Sequence, residues 1–316
     1  MSELVTFGET MLRYTTPTGK RFENADFFSI NVGGAESNVA AVASRLGVDA
    51  VWLSKLHDSP LGHRIERTLH SQGVETEIVW SNEGRQGVYY FETGGAPRGS
   101  NIFYDRSNAA VTTATTNELA TWRIETADVF YTSGITPALS ETLAATTASL
   151  LKTAQAAGTT VAFDVNYRSK LWGPESALET LSELIPFVDV LVVAKRDAET
   201  VLGRSGEPET VGRALLKEND HEVVVITCGD RGSLAVTDEA VIKQPTFEAE
   251  THDPIGTGDA FVGGFLTQRL EGGSLAAAME YGAATAALKR TLSGDIAPVS
   301  KKDVEKVIDG TDDISR

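Results

Sequence analysis

The residues with the clearest chemical pattern lie in a glycine-rich segment near the C-terminus, Asp253–Phe265, which reads DPIGTGDAFVGGF. Gly256, Thr257 and Gly258 lead directly into an apolar run at helical spacing, so they are predicted to open a helix. The first amides of a helix lack partners within it and attract anions. Asp259 places an acid beside that anion site, as a kinase requires, because the acid can take the proton of the acceptor hydroxyl. The alternative is that Asp259 only caps the helix.

A second glycine pair precedes a predicted helix near the N-terminus, in the segment Asn31–Asn38, which reads NVGGAESN. Gly33 and Gly34 allow a ligand to approach the backbone closely, and Asn38 can both donate and accept hydrogen bonds. This combination suits a ligand that carries hydroxyl groups. The alternative is a plain junction between a loop and a helix.

Composition excludes several classes of protein. The chain has 316 residues, of which 41% are hydrophobic, and its formal net charge is −16. Such a surface repels nucleic acid and anionic membranes, so neither is expected as a partner. We interpret it as a salt-adapted (halophilic) surface, because high ionic strength screens the self-repulsion. The single cysteine, Cys228, excludes an internal disulfide, and the absence of a signal-type start or a membrane-spanning run makes a cytoplasmic location the expectation.

Strands and helices alternate along most of the chain, which predicts an α/β fold with a mostly parallel central sheet and helices on both faces. Buried strands are expected at Val5–Gly8, Val51–Lys55, Val129–Thr132, Val161–Asp164, Val190–Val193 and Val223–Thr227. Helices are expected at Glu36–Leu46, Ser140–Ala157, Glu175–Ile185, Lys195–Leu202 and Val211–Asn219.

Two segments depart from this alternation, at about residues 10–32 and 86–107. They contain short aromatic runs between turn residues such as Gly94 and Pro97, which predicts a small antiparallel sheet. Because the sequence contains no repeat, low-complexity tract or linker, we predict a single domain over residues 1–316, with the small sheet as a β lid. The residues after Gly310 are expected to be frayed.

Motifs of several enzyme classes are missing from the sequence, namely GxxxxGK[ST], HExxH, paired CxxC and GxSxG. Their absence argues against a P-loop enzyme, a zincin and an α/β-hydrolase. The two glycine segments therefore carry the main functional signal.

Taken together, these segments resemble those of the ribokinase-like (PfkB) carbohydrate kinases. The resemblance runs from Val5 to about Val299 and is closest to members that phosphorylate 2-keto-3-deoxygluconate. It is carried by VGGAESNVA (Val32–Ala40), GVYYFE (Gly87–Glu92), IFYDR (Ile102–Arg106), SGITPALS (Ser133–Ser140) and FDVNYRSKLW (Phe163–Trp172). It implies the ribokinase-like fold and the transfer of phosphate from ATP, with Mg²⁺, to the 6-hydroxyl of that sugar acid or its galactonate epimer. Such a reaction belongs to Entner–Doudoroff-type sugar catabolism.

The resemblance also implies roles for individual residues. Asp259 would be the general base, beside an anion hole for the γ-phosphoryl group formed by Gly256, Thr257 and Gly258. The residues implied for the sugar acid are Gly33, Gly34 and Asn38 for its hydroxyls, Tyr89 as a cover, Tyr104, Arg106 and Arg168 for its carboxylate and keto end, Ile135 through its backbone, and Asp295 for a hydroxyl at the far edge. The residues implied for ATP are Thr227, Gly229 and Gly232, together with Gly256 and Gly258.

Two departures from the family pattern affect these expectations. Thr257 stands where the family usually has alanine, which keeps both glycines and predicts altered packing rather than lost function. The family's Asn-x-x-Glu motif, which helps to organise Mg²⁺ through water, falls on Ala194–Asp197. Asparagine is missing there and glutamate is shortened, so Asp197 is the candidate metal residue and the placement of the metal stays open.

The two arginines at the sugar end favour an acidic substrate. A guanidinium matches a carboxylate, whereas a neutral sugar needs mainly acids and amides. The alternative is that Arg106 or Arg168 pairs with a neighbouring acid such as Asp105 or Asp164.

Two rival functions remain open from the sequence. A kinase of a neutral sugar, ribose or fructose, is the first, and Glu9 would suit its substrate. The second is a sugar-binding relative that has lost catalysis, because a fold alone does not determine function. A homo-oligomer is the expected assembly, although a lid sheet with exposed edges can pair with another lid or stay single.

Overall fold

The computed structural model describes residues 3–95 and 97–310, so the residues predicted to fray after Gly310 lie outside the described residues. The strands are β1 (Glu3–Phe7), β2 (Met11–Thr15), β3 (Ser29–Gly33), β4 (Asp49–His57), β5 (Glu75–Ser81), β6 (Val88–Glu92), β7 (Asn101–Asp105), β8 (Val129–Ser133), β9 (Thr160–Asp164), β10 (Val190–Ala194), β11 (Val223–Thr227), β12 (Ser233–Val236) and β13 (Val241–Gln244). The helices are α1 (Ala35–Arg45), α2 (Pro60–Ser71), α3 (Thr121–Thr126), α4 (Glu141–Ala157), α5 (Pro174–Leu184), α6 (Lys195–Thr200), α7 (Pro208–Asn219), α8 (Thr257–Leu270), α9 (Leu275–Arg290) and α10 (Lys301–Asp309). Within the described ranges, no helix combines the length and apolar character needed to cross a bilayer.

Nine strands form one large sheet in the order β13-β12-β11-β10-β9-β8-β1-β4-β5. Neighbouring strands from β11 to β5 are parallel, whereas β12 and β13 run antiparallel at one edge. The predicted mostly parallel α/β fold is therefore confirmed, with each predicted strand in the parallel part. Strands β5, β12 and β13 were not predicted from the sequence, because β5 is half polar and β12 and β13 have only four residues each, which leaves a weak apolar signal.

Alternation along the strands produces an apolar layer on each face of the large sheet. In β1, Val5 and Phe7 contribute to a core that also contains residues of α3 to α7. Leu4 contributes to the opposite core, which contains residues of α1, α2, α8 and α9. Fully burying one such side chain contributes roughly 1.5–3 kcal/mol, so the two layers hold the helices firmly against the sheet.

Four strands form a separate small sheet in the order β3-β2-β6-β7. The outer pairs are antiparallel, but β2 and β6 are parallel, so the prediction of an antiparallel sheet is wrong for the central pair. The reason is the chain path. Strands β2 and β6 each follow a parallel strand of the large sheet, β1 and β5, and therefore leave it in the same direction.

Helices α1 and α8 pack closely against each other. A Cβ atom at Gly263 of α8 would lie 2.7 Å from the side chain of Val42 in α1, so glycine is needed for this approach. The contact brings the first turns of the two helices together. As a result Asn38 and Asp259, which are distant in sequence, come within hydrogen-bonding distance of each other.

Candidate active site

The residues predicted for the sugar and the phosphoryl group line one cavity of about 260 Å³ at the carboxyl ends of the parallel strands. This is the edge at which open α/β sheets bind ligands. The predicted residues among its lining are Gly33, Gly34, Asn38, Tyr89, Tyr104, Arg106, Ile135, Arg168, Gly256, Thr257, Gly258, Asp259 and Asp295. The lining residues come from several elements, namely the small sheet, α1, α8 and the loops after β8 and β9. The cavity therefore forms only when these elements pack together.

Asp259 lies in the first turn of α8 and does not cap that helix. The capping position is Gly256, and no side chain caps the helix there. Asp259 Oδ2 instead accepts a hydrogen bond of 2.7 Å from Asn38 Nδ2. Burial raises the pKa of Asp259 to about 6, against the lowering effect of the Asn38 bond and of Arg168. The carboxylate is therefore charged at neutral pH and is a stronger base than an ordinary aspartate.

The turn before Asp259 has the geometry of an anion site. Gly256 has a φ of 82°, and a Cβ there would lie 2.1 Å from the carbonyl oxygen of Asp295, so only glycine fits. Thr257 Oγ1 donates to the carbonyl oxygen of Pro254 at 2.7 Å, which satisfies its hydroxyl within the turn. A Cβ at Gly258 would meet nothing within 4 Å. The Thr257 amide donates to the carbonyl oxygen of Pro254 at 3.3 Å, so the first-turn amides that can bind an anion are those of Gly258 and Asp259.

Contacts within the protein also require the glycine pair before α1. A Cβ at Gly33 would lie 2.0 Å from the carboxylate of Asp295, and a Cβ at Gly34 would lie 2.1 Å from the carbonyl oxygen of Glu9. Asn38 Oδ1 accepts from the Gly34 amide at 3.4 Å, so Asn38 is held between this turn and its partner in α8. Gly33 and Gly34 therefore allow the cavity wall to pack closely and also leave room for a ligand.

Arg106 forms a buried ion pair at the cavity wall. Its Nη2 lies 2.5 Å from Glu9 Oε2, and the two side chains are 11% and 3% exposed. Asp105, the partner considered from the sequence, pairs with Arg85 instead. Burial raises the pKa of Glu9, and Arg106 opposes that rise. Arg106 Nε is buried and has no hydrogen-bond acceptor among the described residues.

Arg168 faces two carboxylates of the same cavity. Burial, followed by the charge of Asp259, raises the pKa of Asp164 to about 7, and Arg168 opposes this rise. Asp164 and Asn166 both line the cavity, whereas the sequence suggested Asp164 only as an ion-pair partner for an arginine and gave no role to Asn166. Asp164 Oδ1 accepts from the Asn166 amide at 3.0 Å. A signal was present, because this Asp-x-Asn directly follows a buried strand at the ligand-binding edge.

Asp295 and Tyr89, both predicted to bind substrate, also bind each other. Tyr89 donates its hydroxyl hydrogen to Asp295 Oδ2. Asp295 Oδ1 accepts from Arg13 Nη1 at 2.8 Å, so both carboxylate oxygens have protein partners. Burial raises the pKa of Asp295, and Arg13 opposes the rise.

Ile135 lines the cavity with its backbone partly engaged. Its amide donates to Ser133 Oγ at 3.3 Å, and its carbonyl oxygen accepts from the Ala138 amide at 3.2 Å. One lone pair of that carbonyl remains for a ligand.

A second cavity, of about 330 Å³, shares Pro254, Thr257 and Gly258 with the first. It contains the residues predicted for the nucleotide, namely Thr227, Gly229 and Gly232. Apolar side chains of α8 and α9 form part of its wall, namely Phe261, Ala283, Ala286 and Ala287.

Asp197 lies outside both cavities, in a neighbouring cleft that also contains Arg168, Lys170 and Arg196. Its Oδ1 accepts from Arg196 Nε at 3.0 Å. In the described part of the chain, no group of three His, Cys, Asp or Glu side chains is arranged to hold a metal ion.

Residues 1–302 match the sequence profile of a family described as pfkB family carbohydrate kinase. The chain is a pfkB-family carbohydrate kinase. The kinase is 54% identical over 311 residues to 2-dehydro-3-deoxygalactonokinase of Haloferax volcanii, and the match covers 98% of both chains. It is 28% identical over 298 residues to 2-dehydro-3-deoxygluconokinase of Bacillus subtilis, with 93% of this chain and 91% of that protein covered.

The pfkB kinase is also similar to a crystal structure of 2-dehydro-3-deoxygluconokinase from Thermotoga maritima. The TM-score is 0.94 at 32% sequence identity, and 98% of each chain is covered. The predicted ribokinase-like fold is thereby confirmed. The acidic surface predicted as salt-adapted agrees with the similarity to a Haloferax protein.

Proposed function

We propose that this kinase transfers the γ-phosphoryl group of ATP to the 6-hydroxyl of a six-carbon 2-keto-3-deoxy sugar acid. The observation that carries the proposal is the bond from Asn38 to Asp259, because it holds a base at the glycine turn that two cavities share. Similarity to kinases named for the galactonate and the gluconate epimers supports the substrate class. The galactonate epimer is the first to test, because the relative with 54% identity has that name.

In the proposed mechanism, Asp259 Oδ takes the proton of the 6-hydroxyl while that oxygen attacks the γ-phosphorus. The bond from the γ-phosphorus to its bridging oxygen breaks, and ADP leaves with the electron pair. The amides of Gly258 and Asp259 bind the transferring group at the helix start. Asn38 keeps the carboxylate of Asp259 directed at the hydroxyl.

The proposed binding of the sugar acid assigns different tasks to the two arginines. Glu9 balances the charge of Arg106, so Arg106 contributes hydrogen bonds rather than net charge. Arg168 contributes a guanidinium that can pair directly with the carboxylate of the sugar acid. Tyr104 lies beside this end of the cavity, with Arg106 5.3 Å from its ring centroid.

We also propose that the small sheet, within residues 10–32 and 86–107, acts as a lid on a single kinase domain. The rings of Tyr89 and Tyr104 lie 5.9 Å apart and both line the sugar cavity. A lid of this kind excludes water from the transferring phosphoryl group.

We assign the second cavity to ATP, because it contains the residues predicted for the nucleotide and adjoins the glycine turn. Gly232 has a φ of 85° and a Cβ there would lie 2.2 Å from the carbonyl oxygen of Gln244, so only glycine fits in this turn of the cavity wall. Mg²⁺, when bound, would offset the charge of the phosphates. Asp197 is the protein carboxylate we assign to it, through water. Asp197→Asn is therefore expected to raise the Mg²⁺ concentration that gives half-maximal activity.

A coupled assay of ADP formation tests the proposed substrate. Purified protein is supplied with ATP and Mg²⁺ at high salt, and the acceptors are both keto-deoxy acids, ribose and fructose. We expect the acids to exceed the neutral sugars in kcat/KM by about tenfold to a hundredfold, the value of one charge-assisted pair. Phosphorus–proton coupling in the product should locate the phosphate on carbon 6.

Preference for ribose or fructose in this assay would favour the rival function, a kinase of a neutral sugar. The Glu9–Arg106 ion pair gives this rival some support, because Glu9 already neutralises the charge of Arg106. Absence of turnover with every acceptor would favour a binding protein without catalysis.

A further inference from the structure

Arg13 is a buried cation for which the reaction proposed above has no use. It lies in the middle of β2 and is 1% exposed. Its guanidinium carbon lies 4.2 Å from the ring centroid of Phe91. Nε donates to Thr15 Oγ1 at 2.8 Å, Nη1 to Asp295 Oδ1 at 2.8 Å, and Nη2 to Asp253 Oδ2 at 2.6 Å. All three nitrogens are thus bonded, and the side chain joins the small sheet to two loops of the main domain.

The first of these loops leads into the phosphoryl-binding turn. Asp253 Oδ1 accepts from the Ile255 amide at 3.1 Å, and its Oδ2 accepts from the Gly294 amide at 3.1 Å. One carboxylate therefore sets the start of the segment that continues into residues 256–258. Because Arg13 holds that carboxylate from the small sheet, the orientation of the turn amides depends on a residue of the lid.

The second loop touches both glycine turns of the site. The carboxylate of Asp295 occupies the space where a Cβ of Gly33 would lie, and its carbonyl oxygen occupies the space beside Gly256. Tyr89 of β6 binds the same carboxylate. Arg13 and Tyr89 thus hold Asp295 from adjacent strands of the small sheet, against both the sugar turn and the phosphoryl turn.

The charges of this buried cluster balance only if Arg13 is present. Asp253 and Asp295 contribute two carboxylates, and the second cation is Lys289, which is 0% exposed. Lys289 Nζ donates to the carbonyl oxygens of Asp253 and Leu292, both at 3.1 Å, and so holds backbone rather than carboxylate. Without Arg13 the two carboxylates would lose their side-chain cation, which is strongly unfavourable in a buried place.

We propose that Arg13 is a positioning residue that couples the small sheet to the phosphoryl-binding turn. The proposal rests on the phosphoryl transfer proposed above. When the small sheet lies on the sugar, Arg13 sets Asp253 and Asp295, and these set the amides that receive the phosphoryl group. Loss of Arg13 therefore lowers kcat, because a displacement of about 1 Å at a reacting group costs about 10²-fold in rate. The KM for ATP stays near the wild-type value, since the nucleotide cavity does not contain Arg13.

A double-mutant cycle tests the coupling in the full-length protein. The variants are Arg13→Met, Asp253→Asn, the double variant and Arg13→Lys, each with kcat, both KM values and Tm measured. We expect kcat to fall about 10- to 100-fold in Arg13→Met and in Asp253→Asn. The double variant should be no slower than the slower single variant, because both changes break one link. Arg13→Lys should recover part of the rate, since its ammonium reaches one carboxylate.

Arg123 offers a matched control, because it too is a stacked arginine with several acidic partners. It lies 4.4 Å from the ring centroid of Trp122 and pairs with Glu75 and Glu77, away from the cavity. Arg123→Met should lower Tm and leave kcat unchanged at temperatures at which the protein is folded. A kcat in Arg13→Met within threefold of the wild type would overturn the proposal. Additive losses in the double variant would also overturn it.

Hydrogen exchange provides a readout that does not depend on the substrate. The amides of Ile255 and Gly294 should exchange faster in Arg13→Met and Asp253→Asn, but not in Arg123→Met. If the wild type phosphorylates no sugar acid, the proposed function fails while exchange still measures the link. Unchanged exchange at both amides would overturn the coupling. If Arg13→Met does not fold, kcat and hydrogen exchange measured in Arg13→Lys and Asp253→Asn test the coupling instead.

Discussion

Asp259 is charged at neutral pH yet is partly buried, held by Asn38 and placed at the start of a helix. We predict that Asp259→Asn lowers kcat by about 10²–10⁴, the usual contribution of a general base, with little effect on either KM. In the wild type, kcat/KM should fall as pH drops below about 6, because burial raises the pKa of Asp259 to about 6 and the protonated acid cannot accept a proton. Initial rates from pH 5 to 9 check both statements.

The control for this prediction is Asp303→Asn. Asp303 is also the third residue of a helix, but it belongs to the capping box of α10 at the surface. Its replacement should cost stability and leave the pH profile unchanged. Near-wild-type turnover in Asp259→Asn would show that another group is the base.

The two arginines should differ in their effects, because Arg106 forms a direct buried ion pair with Glu9, whereas Arg168 acts on Asp164 and Asp259 at longer range. We predict that Arg168→Met raises the KM for the sugar acid by about tenfold to a hundredfold, since a charge-assisted pair contributes about 1.5–3 kcal/mol. The KM for a neutral analogue without the carboxylate should hardly change. Steady-state kinetics with both compounds measure the difference. Equal losses with both compounds would mean that Arg168 has a structural task.

The contribution of Arg106 to substrate binding must be measured with a double variant, because Arg106 is paired with Glu9. Arg106→Met alone leaves Glu9 buried without its cation and facing the substrate carboxylate, so we expect losses in both stability and affinity. The variant Glu9→Gln/Arg106→Met removes the pair together and isolates the contribution of the guanidinium to binding. Arg85→Met, which breaks the surface pair with Asp105, is the control on the same sheet.

At the scale of elements, α1 is joined to the loop after β8 by a buried acid. Glu36 Oε1 accepts from the Ser133 amide at 3.1 Å, from Ser133 Oγ at 2.7 Å and from Thr136 Oγ1 at 2.9 Å. Its Oε2 is buried and has no hydrogen-bond partner among the described residues. Burial raises the pKa of Glu36 to about 7, against the lowering effect of these bonds.

This raised pKa predicts a pH-dependent stability. The folded state binds the proton more tightly than the unfolded state, so stability due to Glu36 falls as pH rises from about 4.5 to about 7. Glu36→Gln should therefore gain stability relative to the wild type with rising pH, by up to about 3 kcal/mol. Denaturant unfolding at pH 5 and pH 8 measures this difference. Glu141→Gln, an exposed change in the first turn of α4, should show no such trend, and a similar trend in both variants would contradict the prediction.

At the scale of the whole molecule, the net charge of −16 destabilises the compact state through self-repulsion. The Debye length falls from about 10 Å at 0.1 M salt to about 3 Å at 1 M, so salt screens this repulsion. We predict that Tm rises by about 5–10 °C between about 0.1 and 2 M KCl, equivalent to a few kcal/mol. Thermal unfolding followed by circular dichroism measures the rise.

A charge-reduced variant separates screening from other effects of salt. It replaces five exposed glutamates by glutamine, namely Glu83, Glu125, Glu141, Glu175 and Glu179. The variant should have a higher Tm at low salt and a smaller rise with KCl. An unchanged slope would show that screening of surface charge is not the cause.

Much of the architecture could be predicted from the sequence, because it depends on neighbours along the chain. Apolar runs predicted the six central parallel strands, and glycines marked the turns before α1 and α8. Strands β5, β12 and β13, at the two ends of the large sheet, were missed, since their pairing rather than their composition makes them strands. The parallel pairing of β2 and β6 was also missed, because it depends on the direction in which two distant segments leave the large sheet.

Local chemistry in the sequence was likewise enough to identify the turn at 256–258 with its acid, since such a turn needs only glycine and a helix. The partners of the charged groups were decided only by the tertiary structure. Tyr89 meets Asp295 across 206 positions and Asn38 meets Asp259 across 221. Arg106 pairs with Glu9 rather than with its neighbour Asp105. Burial, distance and pKa are properties of these long-range contacts, so they exist only once the two sheets and helices α1 and α8 have packed together.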